Sequence, residues 1–75
     1  MDKNEFIKVF AEQFDDTDAS EIKSDTKFRD LEEWSSLIGM SVIAMARTQF
    51  GKAITGKEIR NCETVEDLYN MIALK

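Results

Sequence analysis

The chain has 75 residues, 43% apolar and 33% charged, with a formal net charge of −5. That length makes a single domain, residues 1–75, which buries only about 60–65% of its unfolded surface yet is too apolar for a disordered segment. The acidic balance, pI ≈ 4.6, argues against a nucleic-acid partner, and no run of about 18 apolar residues exists to span a membrane.

With no proline, three glycines and no strand-like alternation, the chain reads as all-α. Asp2 starts the first helix, with Glu5 as its capping-box partner. Phe6, Val9, Phe10 and Phe14 give that helix one apolar face, and Asp15-Asp16-Thr17-Asp18 ends it. Residues 15–35 form a long connection anchored by Ile22, Phe28, Leu31 and Trp34, in which Asp18 is placed to cap one short turn. The second helix runs from about Ser36 to Phe50, with Gly51 as its stop. Its core stripe is read as Gly39, Val42, Ile43, Ala46 and Phe50. Leu37, Ile38, Met40, Ala44 and Met45 are also apolar, so some of this helix should meet a partner. Ile38 and Met45 are read as lying away from the core; Met40 suits core filling and a pliable contact equally. Thr55-Gly56-Lys57-Glu58 is a capping box before a short third helix pinned by Ile54 and Ile59. Thr64-Val65-Glu66-Asp67 starts the last, with Val65, Leu68, Ile72 and Tyr69 inward. The expected architecture is a bundle of three longer helices and one short one.

Charge is segregated. Residues 1–33 carry net −6, residues 34–62 net +3 and residues 63–75 net −2. The absence of histidine removes the commonest general base and metal ligand. The one cysteine, Cys62, cannot close an internal disulfide or build a zinc cage, and reads as a small buried hydrophobe. A lone cysteine and an N-terminus without a secretory signal suit a reducing cytoplasm. The acidic run at residues 15–18 lacks the spacing and turn glycine of a calcium loop and reads as solvated. No metal site is expected, and nothing favours an enzyme.

Trp34-Ser35-Ser36-Leu37 is the stretch that holds chemistry. Two hydroxyls sit where the acidic connection meets the second helix, beside backbone N–H groups that favour an anion such as phosphate. On propensity alone one serine caps the helix, contributing roughly 1 kcal/mol over alanine, and the other is incidental.

The surrounding residues resemble the acyl carrier protein family. Asp25-Thr26-Lys27-Phe28-Arg29-Asp30-Leu31 is similar to its Thr-x-Phe-x-x-Leu approach, and Ser35-Ser36-Leu37 to its Asp-Ser-Leu signature. Phe50-Gly51 with Ile54, and Thr64 to Tyr69 with Ile72, look like the second-helix exit and last-helix opening, so the likeness covers essentially the whole chain. It implies a four-helix carrier bundle in which Ser36 is esterified to 4′-phosphopantetheine from coenzyme A, while Ser35, in place of the family's aspartate, caps the helix. It also implies a cytoplasmic, monomeric carrier without catalytic residues, modified by a phosphopantetheinyl transferase. Acyl-loading and acyl-transfer enzymes of fatty acid, related lipid or polyketide synthesis would be its partners. An aminoacyl or peptidyl carrier, or an unmodified carrier-like interaction module, are the alternatives, the acidic chain favouring acyl. The likeness breaks along the second helix, where the family's acids are absent: Ile38, Ser41, Arg47 and Thr48 stand there. The expected partner therefore reads an apolar, methionine-bearing surface of Leu37, Ile38, Met40, Ser41 and Met45. Arg47 and the upstream acids Asp30, Glu32 and Glu33 would set its register. Gly39, Ala44 and Ala46 are small enough to leave room for an acyl chain, or simply to let helices pack closely.

Overall fold

The computed structural model describes residues 1–75. Four helices follow in order: α1 (Lys3–Ala11), α2 (Ser36–Phe50), α3 (Gly56–Arg60) and α4 (Val65–Ala73). Two single 3-10 turns, Ala19–Glu21 and Phe28–Asp30, interrupt the long connection between α1 and α2.

Each helix starts on a side-chain oxygen that accepts an otherwise orphan backbone N–H. Asp2 accepts from Glu5, Ser35 from Ile38, Thr55 from Glu58 and Thr64 from Asp67. The reciprocal capping box forms at Thr55/Glu58 and Thr64/Asp67. At α1 only the Asp2 half of the expected box is made. Asp18 caps the first 3-10 turn, as read, with a full box to Glu21. Gly51 ends α2 with φ 67°, the only positive φ in the chain. Its N–H bonds Arg47 C=O while Lys52 N–H reaches Ala46 C=O, a closure that needs a residue free of the Cβ clash.

Helix α1 is shorter than its phenylalanine spacing predicts. After Ala11 the bonds tighten to Gln13 N–H to Phe10 and Phe14 N–H to Ala11, so Phe14 reaches the core from a turn outside the helix.

The core is wholly apolar and drawn from all four helices and the second 3-10 turn. Phe6, Phe10, Phe28, Val42, Val65, Leu68 and Ile72 are fully buried. An aromatic chain threads it: Phe6 to Phe10, Phe10 to Phe14 and to Phe28, then Phe28 to Trp34 edge-on at 5.0 Å. Ile22 and Phe28 anchor the long connection as expected, with Leu31 and Trp34 half-buried against them.

The connection is also tied by backbone. Lys27 and Thr64 form an isolated antiparallel bridge, and Val65 and Glu66 N–H groups donate to Thr26 and Ser24. Glu33 accepts from the Asp15 and Asp16 N–H groups (2.7 and 3.0 Å) and from the Thr17 hydroxyl (2.7 Å). It thereby fastens the exit of α1 to the approach to α2. Those bonds, the Thr17 hydroxyl foremost, hold its carboxyl below the usual range. Glu33, expected among the upstream acids that set a partner's register, thus also ties the connection together from a half-buried position.

The facing of α2 is the main correction. Its buried residues are Ile38, Val42, Met45 and Ala46, whereas Gly39, Ile43 and Phe50 are only half-buried. Ile38 and Met45, expected outward, are 9% and 3% exposed. They fill the core and are closed to a partner.

Candidate functional site

Helix α2 begins with an exposed serine because the residue before it does the capping. Ser35 adopts an extended backbone and its Oγ accepts from Ile38 N–H at 3.4 Å, while its carbonyl accepts from Gly39 N–H. That leaves Ser36 as the first helical residue, with its side chain exposed. The N–H groups of Ser36 and Leu37 lie in the first helical turn, where no carbonyl of the preceding turn can accept them. Both serines therefore stand where a helix end presents partial positive charge.

Ser36 opens onto a cleft of about 400 Å³ between α2 and α3. One wall is Gly39, Met40 and Ile43 of α2; the other is Gly56, Ile59 and Arg60 of α3; Trp34 and Arg29 close the end. Trp34 is held by Phe28 and Phe14, and its ring stands 3.6 Å from where a Cβ on Gly39 would be. A second cleft of about 440 Å³ shares Met40 and Ile43 and continues past Ala44, Ala53 and Ile54 to Arg47. The two make an apolar trough along α2 with the Ser36 hydroxyl at one end and Arg47 at the other.

Arg29 is fixed from behind. Its Nε and Nη2 both donate to the Cys62 carbonyl, at 3.2 and 2.8 Å, joining the second 3-10 turn to the end of α3. Cys62 itself is buried, and its thiol is pushed up chiefly by burial, with Asp67 and Glu58 reinforcing and Arg29 opposing. A thiol kept protonated is a poor nucleophile, which matches its reading as a packing residue.

The outer surface of α2 is apolar at Leu37, 72% exposed, and Met40, 66% exposed. Arg47 is exposed beside them, and Ser41 is half-buried towards α1, near Val9 and Gln13. Of the small residues, Ala46 is fully packed in the core, whereas Gly39 and Ala44 line the trough. Arg29 and Arg60 are site-lining residues that sequence reasoning did not assign to the site, and Trp34, within the singled-out stretch, was given only an anchoring role. The only hint was the net +3 of residues 34–62, a stretch that contains Arg60.

Comparison with known proteins fits this geometry. The family model described as the phosphopantetheine attachment site matches residues 4–72. No curated protein and no solved structure matches the chain. Domains of this kind take 4′-phosphopantetheine covalently and meet phosphopantetheinyl transferases and partner enzymes, without being catalytic themselves. With 69 of 75 residues inside the match and a four-helix bundle around an exposed serine, the chain belongs to the phosphopantetheine attachment site family of carrier domains.

Proposed function

We propose that Ser36 is the serine esterified to 4′-phosphopantetheine, and that the chain is an acyl carrier protein serving fatty acid or related lipid or polyketide synthesis. The observation that carries the first part is the division of labour at the start of α2. Ser35 gives its hydroxyl oxygen to the cap, and Ser36 presents its hydroxyl to solvent at the mouth of a cleft. The residues fit the group. An anionic phosphodiester on Ser36 would meet the N-terminal N–H groups of α2, and the absent Cβ of Gly39 leaves the cleft open for the arm behind it. In the transfer, Ser36 Oγ gives up its proton to a base on the transferase and bonds the coenzyme A phosphorus carrying the pantetheine, as the nucleoside bisphosphate leaves. Once bound, the group supplies a terminal thiol that holds cargo as a thioester.

The apolar trough past Met40, Ile43, Ala44 and Ile54 supports an acyl rather than an aminoacyl cargo. The partner surface is read as Leu37 and Met40 with Arg47, in place of the buried Ile38 and Met45. Ser41 lies at its edge.

Incubation with coenzyme A and a broad-specificity phosphopantetheinyl transferase, followed by intact mass measurement, tests the assignment. The expected result is one added phosphopantetheine, kept in Ser35→Ala and lost in Ser36→Ala. A gain that survives Ser36→Ala, or no gain with several transferases, rejects it.

A further inference from the structure

Two arginines line the cleft onto which Ser36 opens, in a chain whose net charge is −5. Arg29 and Arg60 both line it with Ser36, and no aspartate or glutamate does. Neither arginine enters any of the chain's three ion pairs, which join Lys3 to Glu66, Lys27 to Glu63 and Lys75 to Glu58. The one acid between residues 34 and 62, Glu58, is engaged by the Thr55 N–H at 3.0 Å and by Lys75 at 2.6 Å. Seven of the ten basic residues lie outside these ion pairs, and Arg29 and Arg60 are the two that line the cleft with Ser35 and Ser36. Arg29 also borders a shallow cleft with Asp30 and Glu63.

Their placement is built by the fold. Arg29 uses Nε and Nη2 on the Cys62 carbonyl, so its guanidinium plane is fixed and Nη1 is left for another acceptor. Arg60 folds back over the start of its own helix, where its Nη1 stands 3.4 Å from the position a Gly56 Cβ would take. Gly56 has no positive φ to require glycine; the room it leaves is occupied by Arg60.

We propose that Arg29 and Arg60 form a cradle for the phosphodiester on Ser36, holding the root of the arm against the α2–α3 cleft instead of letting it swing freely. The inference rests on Ser36 being the attachment site. The ligand chemistry is a singly charged phosphodiester, matched by one fixed and one movable guanidinium. Both are positioning residues: they touch the arm's root and take no part in thioester chemistry.

The test uses protein loaded from coenzyme A and read by phosphorus NMR, together with the Arg side-chain N–H resonances before and after loading. In the wild type the Arg60 N–H resonances should shift on loading. The phosphorus resonance should lie away from that of the same diester on a short unstructured peptide. Arg60→Ala should move the phosphorus resonance most of the way to the peptide value, and Arg60→Lys should restore part of the difference. Salt near 1 M, where the Debye length is about 3 Å, should do to the wild type what Arg60→Ala does. Loading that leaves the arginine resonances unmoved, with wild type and Arg60→Ala giving the same phosphorus resonance, overturns the cradle while leaving the attachment site intact. Loading that persists in Ser36→Ala, or no loading at all, overturns the assignment of Ser36 and the cradle with it.

Discussion

Adjacent serines with the same side chain acquire opposite roles because helix geometry treats consecutive positions differently. The extended backbone of Ser35 turns its oxygen back to the Ile38 N–H; one residue later the helical backbone of Ser36 turns its hydroxyl out. Gly39 shows the same sensitivity to position. It sits inside a helix, where glycine is less favourable than alanine by about 0.8–1 kcal/mol, and an added Cβ would meet the Trp34 ring at 3.6 Å, an ordinary contact distance. Gly39→Ala should therefore raise stability by roughly 0.5–1 kcal/mol in urea unfolding while narrowing the cleft. A loss of stability would show that the Trp34 ring cannot accept a methyl group there.

Helix α2 carries both the attachment end and the exposed apolar surface, and its two sides respond differently to charge. A carboxylate at Ile38 or Met45 would be buried without a partner, a penalty of several kcal/mol that is a large part of a small domain's stability. Ile38→Asp and Met45→Asp should therefore abolish the cooperative unfolding transition. Leu37→Asp and Met40→Asp, on exposed positions, should change stability by no more than about 0.5 kcal/mol. They should lower kcat/KM of phosphopantetheine transfer roughly tenfold, equivalent to about 1.4 kcal/mol. Equal rates for these two variants and the wild type would remove Leu37 and Met40 from the partner surface. Much of this element was legible in advance: its bounds and the Gly51 stop follow from local chemistry, whereas capping propensity left the two serines undivided and the family resemblance gave the cap to Ser35. Its facing was not. All of its first eleven residues, Ser36 to Ala46, are apolar, glycine or serine, so several stripes satisfy helical spacing. The choice among them is made by Phe6, Phe10 and the rest of the core. The bonds from Arg29 to Cys62 and from Glu33 to the loop after α1 were illegible for a related reason. They join distant positions, and no local pattern announces the partner.

Across the whole molecule, carboxylates act as fasteners more than as a charged coat. Glu33, Asp18, Glu58 and Asp67 are all held below the ordinary carboxylate range. The causes are the Thr17 hydroxyl, the Ser20 N–H, the Lys75 ammonium and the Thr64 N–H respectively. A depressed folded-state value means that each stabilises the domain above the ordinary value, 3.8 for aspartate and 4.5 for glutamate. That contribution is lost as pH falls through the lowered one. The urea midpoint should therefore fall between neutral pH and about pH 3, and Glu33→Gln should fall less steeply over the same interval; parallel curves would show that Glu33 does not contribute to the acid limb. Two of these fasteners, Glu33 and Asp18, tie down the connection that carries Trp34, the chain's only tryptophan. One edge of that indole rests on Phe28 and Phe14 and another borders the cleft beside Ser36. The domain thus carries a single native fluorophore at the root of its proposed arm, and the wetting or covering of that ring is an optical signal of what happens there, read without any label.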